Sequence, residues 1–347
     1  MQNNNPKTKY IKKIIAVLLI LSMSFSLICG CSNKNSKVSK SGFYFDTIIN
    51  ITLYGTTDAS YIDGCFDIAS KYENLLSNTI DDSDISRINK NAGIEPVEVS
   101  DETIEILNAG IKYGKISNGV FDITIGNLSS LWNFSEIAEN ARSDKNEVDP
   151  SFLPSEEEIS EIIGHIDYSQ IIIDKNTVLL KDPDSKIDLG GIAKGFIADK
   201  MKEYLINEGI SSGFINLGGN VLTLGPKKDG SNYTIGIQKP FDETGNAVTT
   251  VEVNDKSVVT SGIYERYYRI NGKIYHHLLD VSTGYPYDNG LYSVTIISES
   301  SMDGDALSTI CFALGLDKGM ELIESMDDTE AIFITDNYEV VSSSGVW

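Results

Sequence analysis

The segment DLGGIAKGFIAD, residues 188–199, combines an acid, adjacent glycines and a lysine at a predicted helix start. Ile187 and Leu189 are typical of the end of a buried strand, and an apolar stripe at helical spacing then runs as far as Gly209. Backbone N–H groups at a glycine-rich helix N-terminus can bind phosphate, and Lys194 would add positive charge. A tight strand-to-helix turn also favours glycine, so the segment alone is equally consistent with a purely structural turn.

The glycine spacing argues against two familiar phosphate-binding folds. The chain contains no GxxxxGK[ST] sequence, which excludes a P-loop. The glycines do not follow GxGxxG, and no first βα unit opens the chain after its N-terminal apolar run, so a Rossmann-type dinucleotide fold is not expected.

A second candidate for chemistry is the segment MDGDALSTICFALG, residues 302–315. Asp305 and Thr309 are four residues apart and would share one face of a helix. Carboxylate and hydroxyl oxygens are hard ligands that suit Mg²⁺, with waters or substrate phosphates completing the coordination shell. The structural alternative is that Asp303 or Asp305 caps the helix while Thr309 bonds back to a carbonyl.

His277 is a third candidate, in the segment HHLLDVSTG beside a predicted hairpin. The chain has only 3 histidines, so a metal site built from several of them is implausible. A lone histidine is more often structural than catalytic, and the residue pattern by itself leaves both roles open.

The N-terminus has the form of a secretory signal. Four lysines precede an apolar run over residues 14–28, which ends in Ile28-Cys29-Gly30-Cys31 and resembles a bacterial lipobox. The run has about 15 residues, fewer than the ~20 that a membrane-spanning helix needs, so cleavage is favoured over a membrane-spanning anchor. We therefore predict a signal peptide over residues 1–30, lipid modification of Cys31 and a flexible tether over residues 31–42.

The charge balance narrows the possible partners. Residues 1–30 contain four lysines and no acids, so their removal changes the net charge from −22 to −26. Such an acidic protein is a poor nucleic-acid binder and does not bind anionic lipids through a basic patch. Attachment of the protein to the membrane would therefore depend on the lipid anchor. Cys65 and Cys311 lie in helical apolar patterns and are predicted to be buried thiols, although the spacing does not exclude a disulfide between them.

The remaining pattern predicts an α+β fold: a largely antiparallel sheet with flanking helices, in one domain over residues 43–347. The predicted helices are 62–76, 103–116, a short one opened by a capping box of Ser155 and Glu158, and two helices split near Gly315. The predicted strands are 47–54, 171–173 with 178–180, two strands within 213–237, 248–253 paired with 257–261, 267–270 with 273–279 around Asn271-Gly272, 292–297, and a last hairpin at Asp336-Asn337.

Eight segments, taken in chain order, carry a resemblance to a known family. They are FDTIINITLYG (45–55), SRIN (86–89), GVFDITIGNLSSLW (119–132), DLGGIAKGF (188–196), INLGGN (215–220), VVTSGIYER (258–266), HLLDVSTG (277–284) and DALST (305–309). The series resembles the ApbE family of FAD:protein FMN transferases from about residue 43 to the end. Two departures are Phe45-Asp46-Thr47, where many relatives have Met-Gly-Thr, and Ser308, where some relatives have a metal-binding aspartate.

The resemblance implies a single α/β domain that binds FAD and Mg²⁺ and moves FMN to a threonine hydroxyl of another protein, releasing AMP. The implied FAD contacts are Phe45, Val120, Phe121, Asp122, Asp188, Lys194 and Leu278. The implied metal ligands are the backbone carbonyl of Gly191 and the side chains of Asp305 and Thr309. The base for the acceptor threonine is either His277 or a carboxylate near the metal, such as Asp305.

The resemblance and the lipobox together imply an extracytoplasmic, lipid-anchored enzyme acting on a membrane-associated acceptor protein. The chain lacks the Ser/Thr-Gly-Ala-Thr type context of family acceptors, so we expect it to modify a partner and not itself. Two alternatives remain: a hydrolase that splits FAD into FMN and AMP, and a non-catalytic FAD-binding lipoprotein. The second would be marked by loss of Asp305 or Thr309, and both are present.

Overall fold

The structure is a computed structural model that describes residues 36–140 and 147–346. The helices are α1 (Ser60–Leu76), α2 (Asp84–Lys90), α3 (Asp101–Ile116), α4 (Gly126–Trp132), α5 (Phe134–Asn140), α6 (Glu156–Ile163), α7 (Ala193–Asn207) and α8 (Ser301–Glu324). The strands are β1 (Lys37–Tyr44), β2 (Thr47–Tyr54), β3 (Val97–Glu98), β4 (Ile171–Asp174), β5 (Thr177–Leu180), β6 (Gly213–Leu217), β7 (Asn220–Leu224), β8 (Tyr233–Gln238), β9 (Ala247–Val253), β10 (Ser257–Gly262), β11 (Tyr267–Ile270), β12 (Lys273–His276), β13 (Leu291–Ser298), β14 (Glu330–Thr335) and β15 (Val340–Ser342).

An eight-stranded antiparallel sheet, in the order β1-β2-β6-β7-β10-β13-β14-β15, forms the centre of the molecule. Strand β2 shows how the sequence specifies it, because Ile49, Ile51 and Leu53 are fully buried and alternate with more exposed residues. This period of two places one apolar face against the helices. The predicted α+β class and largely antiparallel sheet are confirmed.

Both faces of the sheet are covered. Helix α8 packs on β10 and β13, α7 packs on α8, and α1 packs on α7. In β14, Ala331 and Phe333 belong to the core beneath these helices, whereas Ile332 and Ile334 pack with the β8–β9 ribbon on the opposite face. Burial on both faces explains why β14 reads as a continuous apolar run rather than an alternating one.

A smaller cluster packs around Trp132 at the junction of α4, α5, α6 and β11. Its core includes Leu128, Phe134, Ile159 and Tyr268, and the Trp132 indole N–H donates to the Gly284 carbonyl at 2.8 Å. The cluster is separate from the main core, so α6 is held mainly by this local packing.

The predicted tether over residues 31–42 is wrong for its second half. Residues from Lys37 onward form β1, which pairs with β2 along its whole length, from Lys37 opposite Tyr54 to Tyr44 opposite Thr47. Polar side chains concealed the strand, because β1 is an edge strand and Lys37, Ser39 and Ser41 alternate toward solvent. The folded domain therefore begins near residue 37 rather than at residue 43. The predicted signal peptide over residues 1–30 and Cys31 lie outside the described residues.

Two predicted strand arrangements are also wrong. The segment from Gly213 to Gln238 contains three strands rather than two, and β9 pairs with β8 while β10 pairs with β7 and β13. The chain passes from the ribbon to the main sheet at residues 254–256, where the Asp255 carboxylate accepts from the Gly225 N–H at 3.0 Å. A short connection resembles a hairpin in sequence, and periodicity alone does not identify the partner of a strand.

Several local predictions are confirmed. Ser155 and Glu158 form the capping box of α6, and Asn271 and Gly272 both have positive φ in the turn between β11 and β12. Helix α8 is interrupted at Gly315 (φ 77°), and Cys65 and Cys311 are free and buried. Within residues 36–140 and 147–346, no helix has the length and apolar character needed to cross a membrane.

Candidate active site

The site is built where helices α7 and α8 cross at close range. A Cβ atom at Gly195 would lie 2.2 Å from the Ser301 carbonyl oxygen, so only glycine permits this approach. Asp199, one turn further along α7, caps the start of α8 by accepting from the backbone N–H groups of Ser301 at 2.8 Å and Met302 at 3.0 Å. Both contacts fix the side chains of α8 relative to the start of α7.

Asp305 of α8 reaches the N-terminus of α7. Ile192, which precedes α7, provides no side-chain cap; the Ala193 N–H donates to the Leu189 carbonyl at 2.9 Å, and the Gly195 N–H takes its partner from α8. Asp305 Oδ2 accepts from the Gly195 N–H at 2.9 Å, and Asp305 Oδ1 lies 3.6 Å from Lys194 Nζ. Asp305 is only 4% exposed. The side chain that the sequence places on one face of α8 is therefore a buried carboxylate next to the positive end of the α7 dipole.

Thr309, one turn along α8 from Asp305, lies next to Gly191. The side chain that Gly191 lacks would point to within 3.8 Å of Thr309 Oγ1 and 3.1 Å of the Phe121 ring. Thr309 Oγ1 is 3.2 Å from Ser261 Oγ, which also contacts Ser308 at 2.8 Å. Asp305 and Thr309, one turn apart on α8, offer a carboxylate and a hydroxyl oxygen next to the Gly190-Gly191 turn, and hard oxygen donors of this kind fit Mg²⁺.

Asp188 holds the turn that precedes α7. Its Oδ1 accepts from the Gly190 N–H at 2.7 Å, its Oδ2 accepts from Asn78 Nδ2 at 3.1 Å, and its backbone N–H donates to Ile123. Lys194 Nζ donates to the Gly190 carbonyl at 3.3 Å, so it spans the turn between Asp188 and Asp305.

The strand predicted at Ile187 and Leu189 is an extended segment instead. Both residues are buried, but the pairing there is an isolated parallel bridge between Lys186 and Ile125. The bridge ends at once because α4 begins at the residue after Ile125.

Within the segment Val120-Phe121-Asp122, Phe121 and Asp122 contact different parts of the structure. Phe121 lies against Gly191 and meets Tyr113 edge-on at 6.3 Å. Asp122 faces the other way: Oδ1 accepts from the backbone N–H and hydroxyl of Thr124, and Oδ2 accepts from the Tyr168 N–H at 2.8 Å. Burial raises the pKa of Asp122, partly offset by these donors, so its observed contacts are those of a loop anchor.

His277 is held as a neutral imidazole. His277 is half-buried, and desolvation of its ring, with the Arg266 charge as a further cause, lowers its pKa to about 3. Its Nδ1 lies 3.3 Å from the Arg266 carbonyl, which can only accept, so Nδ1 carries the proton and Nε2 has a free lone pair. Lys194 also lowers the pKa of His277, which places the two within electrostatic reach. The neighbouring Leu278 is buried in the main core.

Phe45 lies at the tip of the β1–β2 hairpin. Phe45 and Asp46 both have positive φ, 53° and 54°, as a type I′ turn requires. The Phe45 N–H donates to Glu73 Oε1 at 2.7 Å, and the half-buried ring packs on the main core beside α1. Among the described contacts, those of Lys194, Asp305, Thr309, Gly191 and Phe121 form one group, whereas Phe45 and Asp122 contact other residues.

Four further residues position this group. Gly195 and Asp199 stand in the glycine-rich segment, and the close approach and cap they provide were not predicted. Asn78 and Ser261 also contact site residues, but their sequence surroundings give no periodic or spacing signal that would single them out. Each depends on a partner more than 45 residues away in the chain.

Comparison with known proteins decides the family. The model of the ApbE family matches residues 45–333. The chain belongs to the ApbE family. It is 36% identical over 314 residues to the FAD:protein FMN transferase of Klebsiella pneumoniae (strain 342), covering 90% of this chain and 93% of that protein. It is 29% identical over 337 residues to the FAD:protein FMN transferase of Treponema pallidum (strain Nichols), covering 92% and 90%.

Solved structures of ApbE proteins share the fold. The ApbE protein of Thermotoga maritima superposes with a TM-score of 0.79 at 29% identity, covering 89% of this chain and 97% of that one. The flavin transferase ApbE of Vibrio cholerae gives a TM-score of 0.76 at 27% identity, covering 89% and 98%. The predicted resemblance to the ApbE family is confirmed.

Proposed function

We propose that this ApbE protein transfers the FMN part of FAD to a threonine hydroxyl of a separate acceptor protein, using Mg²⁺ and releasing AMP. Transfer of FMN from FAD to protein is the activity for which both relatives above are named. The observation that carries the proposal is the position of Asp305 at the start of α7, where it accepts from the Gly195 N–H and lies 3.6 Å from Lys194, with Thr309 one turn along α8 and next to Gly191.

The proposed reaction exchanges one phosphorus–oxygen bond for another. The threonine oxygen forms a bond to the phosphorus of the FMN half while its proton leaves toward His277 Nε2, and the pyrophosphate bond breaks so that AMP leaves with the bridging oxygen, which can take up a proton. Such a transfer depends on charge neutralisation and positioning more than on a covalent protein group. Bound Mg²⁺ would supply Lewis-acid neutralisation of the pyrophosphate oxygens.

The residues of the chain would supply positioning and charge. The first-turn N–H groups of α7 and the Lys194 ammonium provide positive potential on one side of the turn. Asp305 and Thr309 would hold the metal through side-chain oxygens, and Gly191 through its carbonyl. Phe121, packed on Gly191, supports the wall of this turn.

His277 would accept the hydrogen bond of the acceptor threonine. Its Nδ1–H is engaged by the Arg266 carbonyl, which directs the free lone pair to Nε2. Because the imidazole stays neutral, Nε2 is available as an acceptor throughout the neutral pH range. Asp305 is a less suitable base, since both of its oxygens already face cationic or N–H groups.

The cellular setting is part of the proposal. The lipobox-like Ile28-Cys29-Gly30-Cys31 supports a lipid anchor at Cys31 and an extracytoplasmic position at the cell membrane. An anchor of this kind confines the enzyme and a membrane-associated acceptor to one surface and raises their effective concentration.

Product analysis tests the proposal against FAD hydrolysis. The purified protein is incubated with FAD, Mg²⁺ and a candidate acceptor, and intact mass and free nucleotides are measured. We expect the acceptor to gain one FMN unit for each AMP released, with no mass gain on the enzyme itself. Release of free FMN and AMP at an unchanged rate, with or without any acceptor, would support the hydrolase instead.

A further inference from the structure

A second group of metal-ligating side chains lies outside the site described above. His165 follows α6, and Asp182 and Asp184 lie in the turn after β5. One ligand atom from each of the three lies within 4.8 Å of the others, and His165 Nδ1 is 2.8 Å from Asp182 Oδ2. Within residues 36–140 and 147–346, this is the group of three His, Cys, Asp or Glu side chains close enough to hold an ion.

The backbone around the three residues is fixed. Asp182 Oδ1 accepts from the Asp184 N–H at 2.9 Å, and the Asp184 carbonyl accepts from Asn127 Nδ2 at 2.7 Å. On the other side, the His165 N–H donates to the Ile162 carbonyl at the end of α6 at 3.0 Å. The fold thus sets the backbone positions of the three residues, and Asp184 has the most exposed side chain of the three.

The donor set selects a class of cation. One imidazole and two carboxylates suit Zn²⁺ and similar transition-metal dications, whereas Mg²⁺ prefers an all-oxygen shell. Metal–ligand bonds of about 2.0–2.1 Å place tetrahedral ligand atoms roughly 3.3 Å apart, so the 2.8 Å contact between His165 and Asp182 has to widen by about 0.5 Å when the ion replaces the proton between them. Two carboxylates would neutralise the dication, and the acidic protein attracts cations in general.

We propose that His165, Asp182 and Asp184 form a binding site for a transition-metal dication of the Zn²⁺ type, separate from the site at Asp305. The ion would join the end of α6, which packs in the cluster around Trp132, to the turn that leads into Asp188. The ion would stabilise the attachment of the cluster around Trp132 to the main core, and it would not take part in FMN transfer.

Zinc titration of the purified full chain tests this proposal, because its readout is metal binding rather than activity. Binding of Zn²⁺ is measured by calorimetry, and the unfolding temperature is measured with and without Zn²⁺. The test variants are His165→Ala and Asp184→Asn, each also combined with Asp305→Asn to remove the other metal position. The matched control is Asp174→Asn, which removes an exposed carboxylate from β4 on the neighbouring strand.

We expect the Asp305→Asn protein to retain one Zn²⁺ site, and each test variant to weaken that site by more than about tenfold. Zinc at about 100 times its dissociation constant should raise the unfolding temperature by roughly 5 °C, and this rise should disappear in both test variants but not in Asp174→Asn. If His165→Ala folds poorly, Asp184→Asn decides, because its side chain is exposed. Equal Zn²⁺ affinity in the control and in Asp184→Asn, or no Zn²⁺ binding to the Asp305→Asn protein, would overturn the proposal.

Discussion

The carboxylate of Asp305 accepts a hydrogen bond from the backbone N–H of Gly195 at 2.9 Å, which joins helix α8 to the start of α7. The contact depends on glycine, because a Cβ atom at position 195 would lie 2.2 Å from the Ser301 carbonyl oxygen and 2.7 Å from the Met302 Cα. The geometry of the proposed Mg²⁺ site is therefore coupled to the packing of these two helices.

The Gly195→Ala substitution should separate the two helices. We expect a loss of about 1–3 kcal/mol in the free energy of unfolding, because the added methyl group meets backbone atoms that cannot rotate away. The Mg²⁺ concentration needed for half-maximal transfer should rise at the same time. Gly164→Ala is the control, since a Cβ there meets no atom within 4 Å; equal effects of the two substitutions would contradict the coupling.

Lys194 should contribute to FAD binding through its charge. Its ammonium lies 3.6 Å from Asp305 and donates to the Gly190 carbonyl, so it faces the turn where phosphate oxygens are expected. The Lys194→Ala substitution should weaken FAD binding by about 1–3 kcal/mol, measured by flavin fluorescence. Lys200→Ala on the same helix pairs with Glu105 and serves as the control. An unchanged dissociation constant for Lys194→Ala would exclude the contact.

His277 should act in its neutral form across the physiological range. With its pKa lowered to about 3, protonation removes the Nε2 acceptor only in strong acid, so this group should cause no loss of kcat between pH 5 and 8. The His277→Ala substitution should lower kcat by roughly tenfold while FAD binding persists, because a group of such low pKa acts as a hydrogen-bond acceptor for the threonine rather than as a strong base. An acid limb near pH 6.5 that disappears in the variant would show instead that His277 titrates normally.

His276 should make the folded protein sensitive to acid. The residue is 4% exposed, its Nε2 donates to the Tyr287 carbonyl, its Nδ1 accepts from the Leu278 N–H, and burial lowers its pKa to about 4. Between pH 6.5 and 4 the unfolded chain binds a proton that the folded protein excludes, so stability falls as pH falls.

The expected loss from His276 between pH 7 and pH 5 is about 2 kcal/mol in the free energy of unfolding. Denaturant titration at the two pH values measures it, and the His276→Gln variant should show a smaller difference. An identical pH dependence in the wild type and the variant would mean that His276 does not supply this term.

Local signals in the sequence predicted much of the fold. The capping box at Ser155, the Asn271-Gly272 turn and the alternation in β2 depend on neighbouring residues, and all three are confirmed. Strand partners depend on distant parts of the chain, which is why the pairing of β9 and the number of strands after Gly213 were wrong. The edge strand β1 was missed because its polar face resembles a tether.

In the candidate site, too, local spacing predicted features within a segment, but not the contacts between distant segments. Asp305 and Thr309 could be placed on one helix face from their spacing, and Gly191 and Lys194 from the glycine-rich turn. Their mutual approach could not be predicted, because it depends on the helix crossing at Gly195 and on the cap that Asp199 provides to α8. The orientation of Asp122 toward Tyr168 is likewise a tertiary contact that motif matching does not reveal.

The most direct test of the proposed function is Mg²⁺-dependent FMN transfer by the Asp305→Asn variant. Asparagine keeps an oxygen that can accept from the Gly195 N–H and preserves the packing, but it removes the charge that would bind the metal. We expect an unfolding temperature close to that of the wild type and a loss of roughly 10²-fold or more in acceptor flavinylation at saturating FAD, followed by intact mass. Wild-type flavinylation with an unchanged Mg²⁺ dependence would contradict the assignment of Asp305 as a metal ligand and the mechanism built on it.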